Sequence, residues 1–488
     1  MNRWLPSTSL HLEPEERADM EVPGTQSTHA DRVESARMVS MTTSRFTFLW
    51  RIGLPIALLT LIAWSGSVSR AQNEQNQPPM LPGDFPPRVK KHKTPDKLPP
   101  IPTLSPAFSI SAAPLGYGPP GPTYLGRNQN LVALGFLDEN HLLFSFRAPG
   151  LLAREGDANQ ATAERQMRAV VLTLPDGKVE SEAVWTLQDR GPYLWFPRGG
   201  QFLLRDHEGL ETGSATLQTR PLTPLPGGFL AMRLDPSGNF LLASSVDPAA
   251  HFDSTNAMGT RKVLPLRTQL GPNPDPTNIA ERLIRVESGQ VLSTRHASSA
   301  APRSINAEGF LDTVHEKLDQ WSLTLDSFNG GSQVLGHVES TCLPTSFFAS
   351  DREMLVAGCT EGHIPKLMGV SASGRLLWQI ETPIAIVPPL FIVSQDGSRF
   401  ARETVVFKHP PGADSQIPWV KAVKGQVARV FDLATGKVVM ETPISPTFDA
   451  GGNVALSPSG RRLAVLNGGA IEVFDLPAPA PLPDDVAH

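Results

Sequence analysis

The stretch Val454-Ala455-Leu456-Ser457-Pro458-Ser459-Gly460-Arg461-Arg462-Leu463-Ala464-Val465-Leu466, followed by Ile471-Glu472-Val473-Phe474-Asp475, decides the fold. It reads as strand, tight Ser-Pro-Ser-Gly turn, strand, and third strand, each apolar run being too short for a helix. The same kind of turn recurs at Leu137 to Asn140, Pro197 to Gly200, Asp235 to Asn239, Ser350 to Arg352 and Gln395 to Ser398. A second kind opens the next strand with a basic or amide residue, at Pro175 to Lys178, Glu287 to Gln290, Asn329 to Gly331, Ala372 to Arg375 and Ala434 to Lys437. Glycine supplies the positive φ of a tight hairpin, and Asp or Ser bonds the turn backbone.

Alternation of the two turns makes a four-stranded antiparallel unit, repeated every 40 to 60 residues or so, which is the period of a β-propeller blade. Residues 123–476 are read as an all-β propeller of seven blades, with six or eight as the alternatives. Polar or Pro-rich insertions near 153–167, 247–280 and 408–425 belong to loops. Ile305 to Leu318 places Phe310, Leu311, Val314 and Leu318 on one helical face with Asn306 as cap, so one short inserted helix is expected there. The last unit supplies only three strands, and a strand from Leu104 to Ala112 is expected to close the ring, pairing its otherwise open edge.

The repeat Val430-Phe431-Asp432-Leu433-Ala434-Thr435-Gly436-Lys437 and the opening stretch resemble the blade motifs of bacterial WD-repeat and YVTN-type propellers. Val370-Ser371-Ala372-Ser373-Gly374-Arg375-Leu376-Leu377-Trp378 is similar to the Gly-x-x-x-Trp docking motif of quinoprotein-like and outer-membrane assembly propellers. The resemblance spans residues 125 to 476, and it implies the propeller architecture; rigid blades that present loops on one face suit a binding or scaffolding role.

The full chain has 488 residues, 43 Lys+Arg against 48 Asp+Glu, and 40% apolar residues, enough for an ordinary core and too acidic for a nucleic-acid partner. Its 47 Pro and 40 Gly exceed the usual share of roughly 12% and exclude a helical bundle. Arg45 and Arg51 precede the apolar run Ile52 to Trp64, and Ser69 and Ala71 precede Gln72, which reads as a secretory signal within 1–71 cleaved after Ala71. The run is shorter than the roughly 20 residues of a membrane span, so no stable span is expected after cleavage, with an uncleaved anchor as the alternative. Met38 or Met41 would give a normal short leader. Residues 72–122 form a proline-rich linker carrying the basic knot Arg88 to Lys93, and 477–488 form a second proline-rich tail.

The two cysteines, Cys342 and Cys359, flank apolar runs joined at Ser350-Asp351. A hairpin folded between those two residues sets the cysteines opposite each other, so a disulfide is expected in an oxidising compartment.

The remaining patterns read as structural rather than chemical. Gly116-Tyr117-Gly118-Pro119-Pro120-Gly121 has the letters of a dinucleotide fingerprint, but its prolines remove the amides that would hold a phosphate. His315-Glu316-Lys317-Leu318-Asp319 approaches a zinc-protease helix with Asp in place of the second His. His141, His207, His251, His296, His337, His363 and His409 are scattered. Asp176, Asp235 and Asp396 read as turn formers, and Trp185, Trp195, Trp321 and Trp378 as packing between blades. No metal or cofactor site and no catalytic residue is assigned. The function read from the sequence is a non-catalytic binding or scaffolding propeller with a protein or envelope polymer as partner. The alternative is a propeller hydrolase, lyase or quinoprotein-like oxidoreductase with its site at the central channel.

Overall fold

A computed structural model describes residues 101–120, 131–147, 165–187, 192–206, 209–225, 229–246, 279–297, 303–383, 385, 387, 389–408 and 419–480. The leader, the signal segment and the basic knot lie outside the described residues, as do most positions of the three insertions.

The described strands make seven four-stranded antiparallel sheets. Blade 1 holds β2 (Val132–Phe136), β3 (His141–Arg147), β4 (Arg165–Thr173) and β5 (Lys178–Leu187). Blade 2 holds β6 (Leu194–Trp195), β7 (Phe202–Arg205), β8 (Gly209–Gly213) and β9 (Thr219–Pro224). Blade 3 holds β10 (Phe229–Leu234), β11 (Phe240–Val246), β12 (Ile279–Arg285) and β13 (Val291–Ala297). Blade 4 holds β14 (Ser304–Ile305), β15 (Gly309–Lys317), β16 (Gln320–Ser327) and β17 (Ser332–Glu339). Blade 5 holds β18 (Thr345–Phe348), β19 (Glu353–Cys359), β20 (Pro365–Ser371) and β21 (Leu376–Glu381). Blade 6 holds β22 (Leu390–Val393), β23 (Arg399–Phe407), β24 (Val423–Asp432) and β25 (Val438–Ile444). Blade 7 holds β26 (Val454–Leu456), β27 (Arg462–Asn467) and β28 (Ala470–Asp475), with β1 (Phe108–Ser111) as its outer strand in the register Phe108↔Val473 to Ser111↔Ala470.

First strands of neighbouring blades touch one another, β2 with β26, β26 with β22, and β14 with both β10 and β18, so these strands surround the channel. Turns between first and second strands and between third and fourth strands lie at one end, here the ring end. Connections from second to third strand and from blade to blade lie at the other, the loop end. The eleven tight turns named above all fall at the ring end.

Core residues fill the gaps between blades. Trp378 of β21 shows the logic: its Nε1 donates to Leu433 O of blade 6 (2.6 Å), and its ring stacks on Phe400 at 6.0 Å. Phe400 stacks in turn on Phe431 at 4.7 Å. Gly374, at the other end of the same motif, sits against Leu335 and Gly336 of blade 4. One Gly-x-x-x-Trp segment therefore fastens blade 5 to both neighbours, each buried large side chain contributing about 1.5–3 kcal/mol. Trp185 likewise reaches Phe202 of blade 2 (5.5 Å).

Two expectations are corrected. The inserted helix over Ile305 to Leu318 is instead β14, a turn and β15. Asn306 caps that turn, its Oδ1 accepting from the amides of Glu308 and Gly309, both at 2.9 Å. Phe310 and Leu311 are adjacent and both buried because this strand is covered on both faces, while Val314 and Leu318 are exposed. An apolar run of that kind does not reveal its period. The second correction is one of register. The hairpin β18–β19 pairs Thr345 with Ala357 and Phe348 with Met354, so it turns about Asp351 itself and the ladder sets Cys359 one place away from Cys342. The cysteines nonetheless meet at disulfide distance, Cα to Cα 5.5 Å, because residues 341–344 leave the ladder.

Candidate functional site

Ser340 organises the loop end of blades 4 and 5. This buried hydroxyl donates to Cys342 O (2.6 Å) and accepts from the amides of Cys359 (3.0 Å) and Cys342 (3.4 Å). Thr341 N donates to Cys359 O (3.2 Å), and its hydroxyl donates to Thr360 O (2.7 Å). Two turns are tied to the same node, since Ser340 N donates to Asp319 O (2.7 Å) and Thr360 N to Ile364 O (2.8 Å). Around it stand three large apolar side chains in solvent, Leu318 at 89%, Leu343 at 71% and Ile364 at 42% exposure. Single exposed leucines are ordinary; these three lie on the turns and the blade connection that the node joins. The connections from second to third strand in blades 1, 3 and 6 start after Arg147, Val246 and Phe407, at this same end.

The ring end is built differently. Ser459 N donates to Glu139 Oε1 and Arg462 Nη1 to Glu139 O, both at 2.8 Å, joining blade 7 to blade 1. Asp396 N donates to Pro458 O (2.9 Å), joining blade 6 to blade 7. Across the axis, Gln395 of blade 6 donates to Pro197 O of blade 2 (3.3 Å) and accepts a bond from Arg198. These contacts between non-adjacent blades bridge the channel at the ring end.

Inside the channel, the seven innermost strands carry one charged residue, Arg233 of β10. Its guanidinium lies 5.8 Å from the ring of Phe347 on β18, two blades away. An acid/base pair is not among the described residues of these strands, and no cluster of three metal-ligating side chains occurs among the described residues.

The other residues singled out in the sequence are dispersed. Asp235 accepts from the amides of Ser237 (3.1 Å) and Phe240 (2.6 Å), and Asp396 from Ser398 N (2.9 Å), as turn formers do. Burial pushes the Asp235 carboxyl above its ordinary value in spite of those bonds. His141 sits at the ring end between Asp138 (2.8 Å) and Glu180 (3.2 Å). Burial acts to raise Asp138, but its bonds to His141 and to nearby amides hold it below its ordinary value. His315 lies on a strand, bonded to Leu318 O (2.9 Å) with its ring against Trp321, so the segment offers no helical metal face. Trp321 Nε1 donates to Ser340 O (2.9 Å) and Trp195 is half-buried between blades 2 and 3. Tyr117 of the glycine-proline segment packs on Phe144 and Phe146, both at 5.5 Å. His207, His251 and His409 lie outside the described residues.

Two buried acids escaped the sequence reading. Glu403 of β23 accepts from Gln426 Nε2 (2.8 Å), and Gln426 also bonds Phe448 and Asn453 of the connection into blade 7. Complete burial raises its pKa to about 8. Glu353, at the ring end, is pushed to about 7 by burial and by Asp432. Asp432 accepts from Ala480 N (2.7 Å) and Arg399 donates to Pro477 O (2.6 Å), so the tail begins docked on blade 6.

No protein-family model and no curated protein matches the sequence. The chain is a seven-bladed β-propeller, as its strand order shows. It is similar to the C-terminal WD40 domain of Sif2, at 12% identity and TM-score 0.39, over 78% of this chain and 100% of that one. It is similar to the WD40 domain of Toxoplasma gondii coronin, at 10% identity and TM-score 0.37, over 78% and 88%. A third neighbour is Pyrococcus horikoshii acylaminoacyl peptidase, at 12% identity and TM-score 0.42, over 69% of this chain and about half, 48%, of that one.

Proposed function

We propose that this chain is a secreted or envelope-associated propeller that binds a protein partner, without chemistry of its own, through the loop end of blades 4 and 5. The observation that carries the reading is the set of exposed Leu318, Leu343 and Ile364 braced on the Ser340 node. A rigid apolar surface suits a protein better than a polar envelope polymer, because burial of apolar area drives such association. The cysteine pair at 5.5 Å and the leader ending at Ala71 support an oxidising compartment. No helix among the described residues is long and apolar enough to cross a membrane.

Intact mass of the protein recovered from the producing cell's envelope or medium tests this reading. Under denaturing conditions the chain is expected to start at Gln72 and to weigh about two mass units less than its reduced form. Under native conditions it is expected to carry a protein partner's mass. A retained N-terminus with two free thiols would overturn the compartment, and a bound cofactor with no protein partner would overturn the binding role.

A further inference from the structure

Arginine in a folded interior is ordinarily paired, since an isolated buried charge is costly. Two arginines near the channel break that rule. Arg233 has no hydrogen bond or carboxylate partner among the described residues, and its contact there is the face of Phe347. It is surrounded by protein and yet reached by water, as a channel group must be, and burial lowers its pKa. Arg402 of β23 is 5% exposed. It stands opposite Phe391 on one side and Arg429 on the other. Arg429 is taken by Glu441 (2.7 Å), and Arg402 has no acid among the described residues. Burial and the like charge of Arg429 bring the Arg402 pKa down to about 10. The two arginines are linked through an aromatic pair, for Phe347 and Phe391 lie 5.4 Å apart, both half-buried on innermost strands.

We propose that the channel binds a carboxylate carried on an aromatic or other apolar body, its charge met by Arg233 and Arg402 and its body laid against Phe347 and Phe391. Guanidinium recognises carboxylate through paired hydrogen bonds, and the rings supply the apolar wall. With the ring end bridged by Arg198 and Gln395, the ligand reaches the site from the loop end. The inference goes beyond partner binding at blades 4 and 5 and does not depend on it. The carboxylate has two sources, a free small acid or an acidic side chain on a peptide.

Calorimetric titration of the full chain separates them, with sodium phenylacetate as the free acid and the blocked peptide acetyl-Gly-Asp-Phe-Gly-amide as the second probe. Saturable binding of at least one is expected, with phenylacetamide failing to bind because it lacks the charge. Binding of phenylacetate alone assigns a small acid, and binding of the peptide alone assigns a peptide. Arg233→Gln is expected to weaken the bound probe at least about tenfold, while Arg233→Lys retains part of the affinity. The ligand should raise the melting temperature of the native chain and not that of Arg233→Gln. Should Arg233→Gln fail to fold, Arg233→Lys and Phe347→Leu carry the same comparison. The proposal is overturned if neither probe binds saturably, if phenylacetamide binds equally, or if the Arg233 variants bind like the native chain.

Discussion

The two ends of the propeller solve different problems with the same backbone. At the ring end, short turns hook each other, as Glu139 does with Ser459 and Arg462, and leave little that a partner could displace. At the loop end, the turns of blades 4 and 5 hang on Ser340 and hold Leu318 and Leu343 in water. The difference teaches that one end spends its polar groups on joining neighbouring blades, while the other gathers two turns and a blade connection onto one buried hydroxyl. Burial of charge divides them too, with Glu353 at the ring end beside the docked tail and Glu403 reached by the connection into blade 7.

A matched pair of glycines gives the largest expected effect. Gly374 and Gly362 share a φ of 81°, but a Cβ on Gly374 would meet Leu335 O at 1.9 Å, whereas one on Gly362 has no atom within 4 Å. Gly374→Val should therefore cost about 3–5 kcal/mol, strain plus overpacking, and Gly362→Val only about 1–2. Equal losses in urea denaturation would erase the contrast between the ends. Replacing Cys342 and Cys359 together by Ser should cost about 3 kcal/mol if the pair is bonded, and adding reductant to the double variant should then change nothing.

The buried acids set the next scale. Glu403 and Glu353 hold their protons more tightly folded than unfolded, so the stability they confer is full below the ordinary carboxylate value of 4.5 and is lost as pH rises through about 7 for Glu353 and about 8 for Glu403. Glu403→Gln should flatten the fall in stability across that window, and Glu353→Gln should flatten its lower part; a native chain equally stable across the window would contradict both. Leu343→Asp is the mildest change, expected to move stability by less than about 0.5 kcal/mol while abolishing partner capture. A loss of stability there would mean the leucine serves the fold.

Turn chemistry made the ring end legible. Asp235, Asp396 and Ser457 bond their own turns, so their identity is dictated locally and shows in the sequence. The turn Ser214 to Gln218 of blade 2 was hidden because it contains no glycine, the positive φ falling on Leu217. The turn of blade 4 was hidden because Asn306 signals a helix cap and a hairpin turn equally well. The residues of the two proposed sites were harder still. Arg233 sits between Met232 and Leu234 like any polar residue of a strand, and only the meeting of β10 with Phe347 across the channel isolates it. Leu318 and Leu343 have the composition of core residues, and their exposure follows from where two turns happen to meet.

Photo-crosslinking in the producing cell addresses the binding role most directly, with a photoreactive residue placed at Leu343 of the loop end in one strain and at exposed Lys437 of the ring end in another. The expected result is a discrete protein adduct from position 343 and none from position 437. An adduct from position 437 alone would contradict the assignment of the binding face.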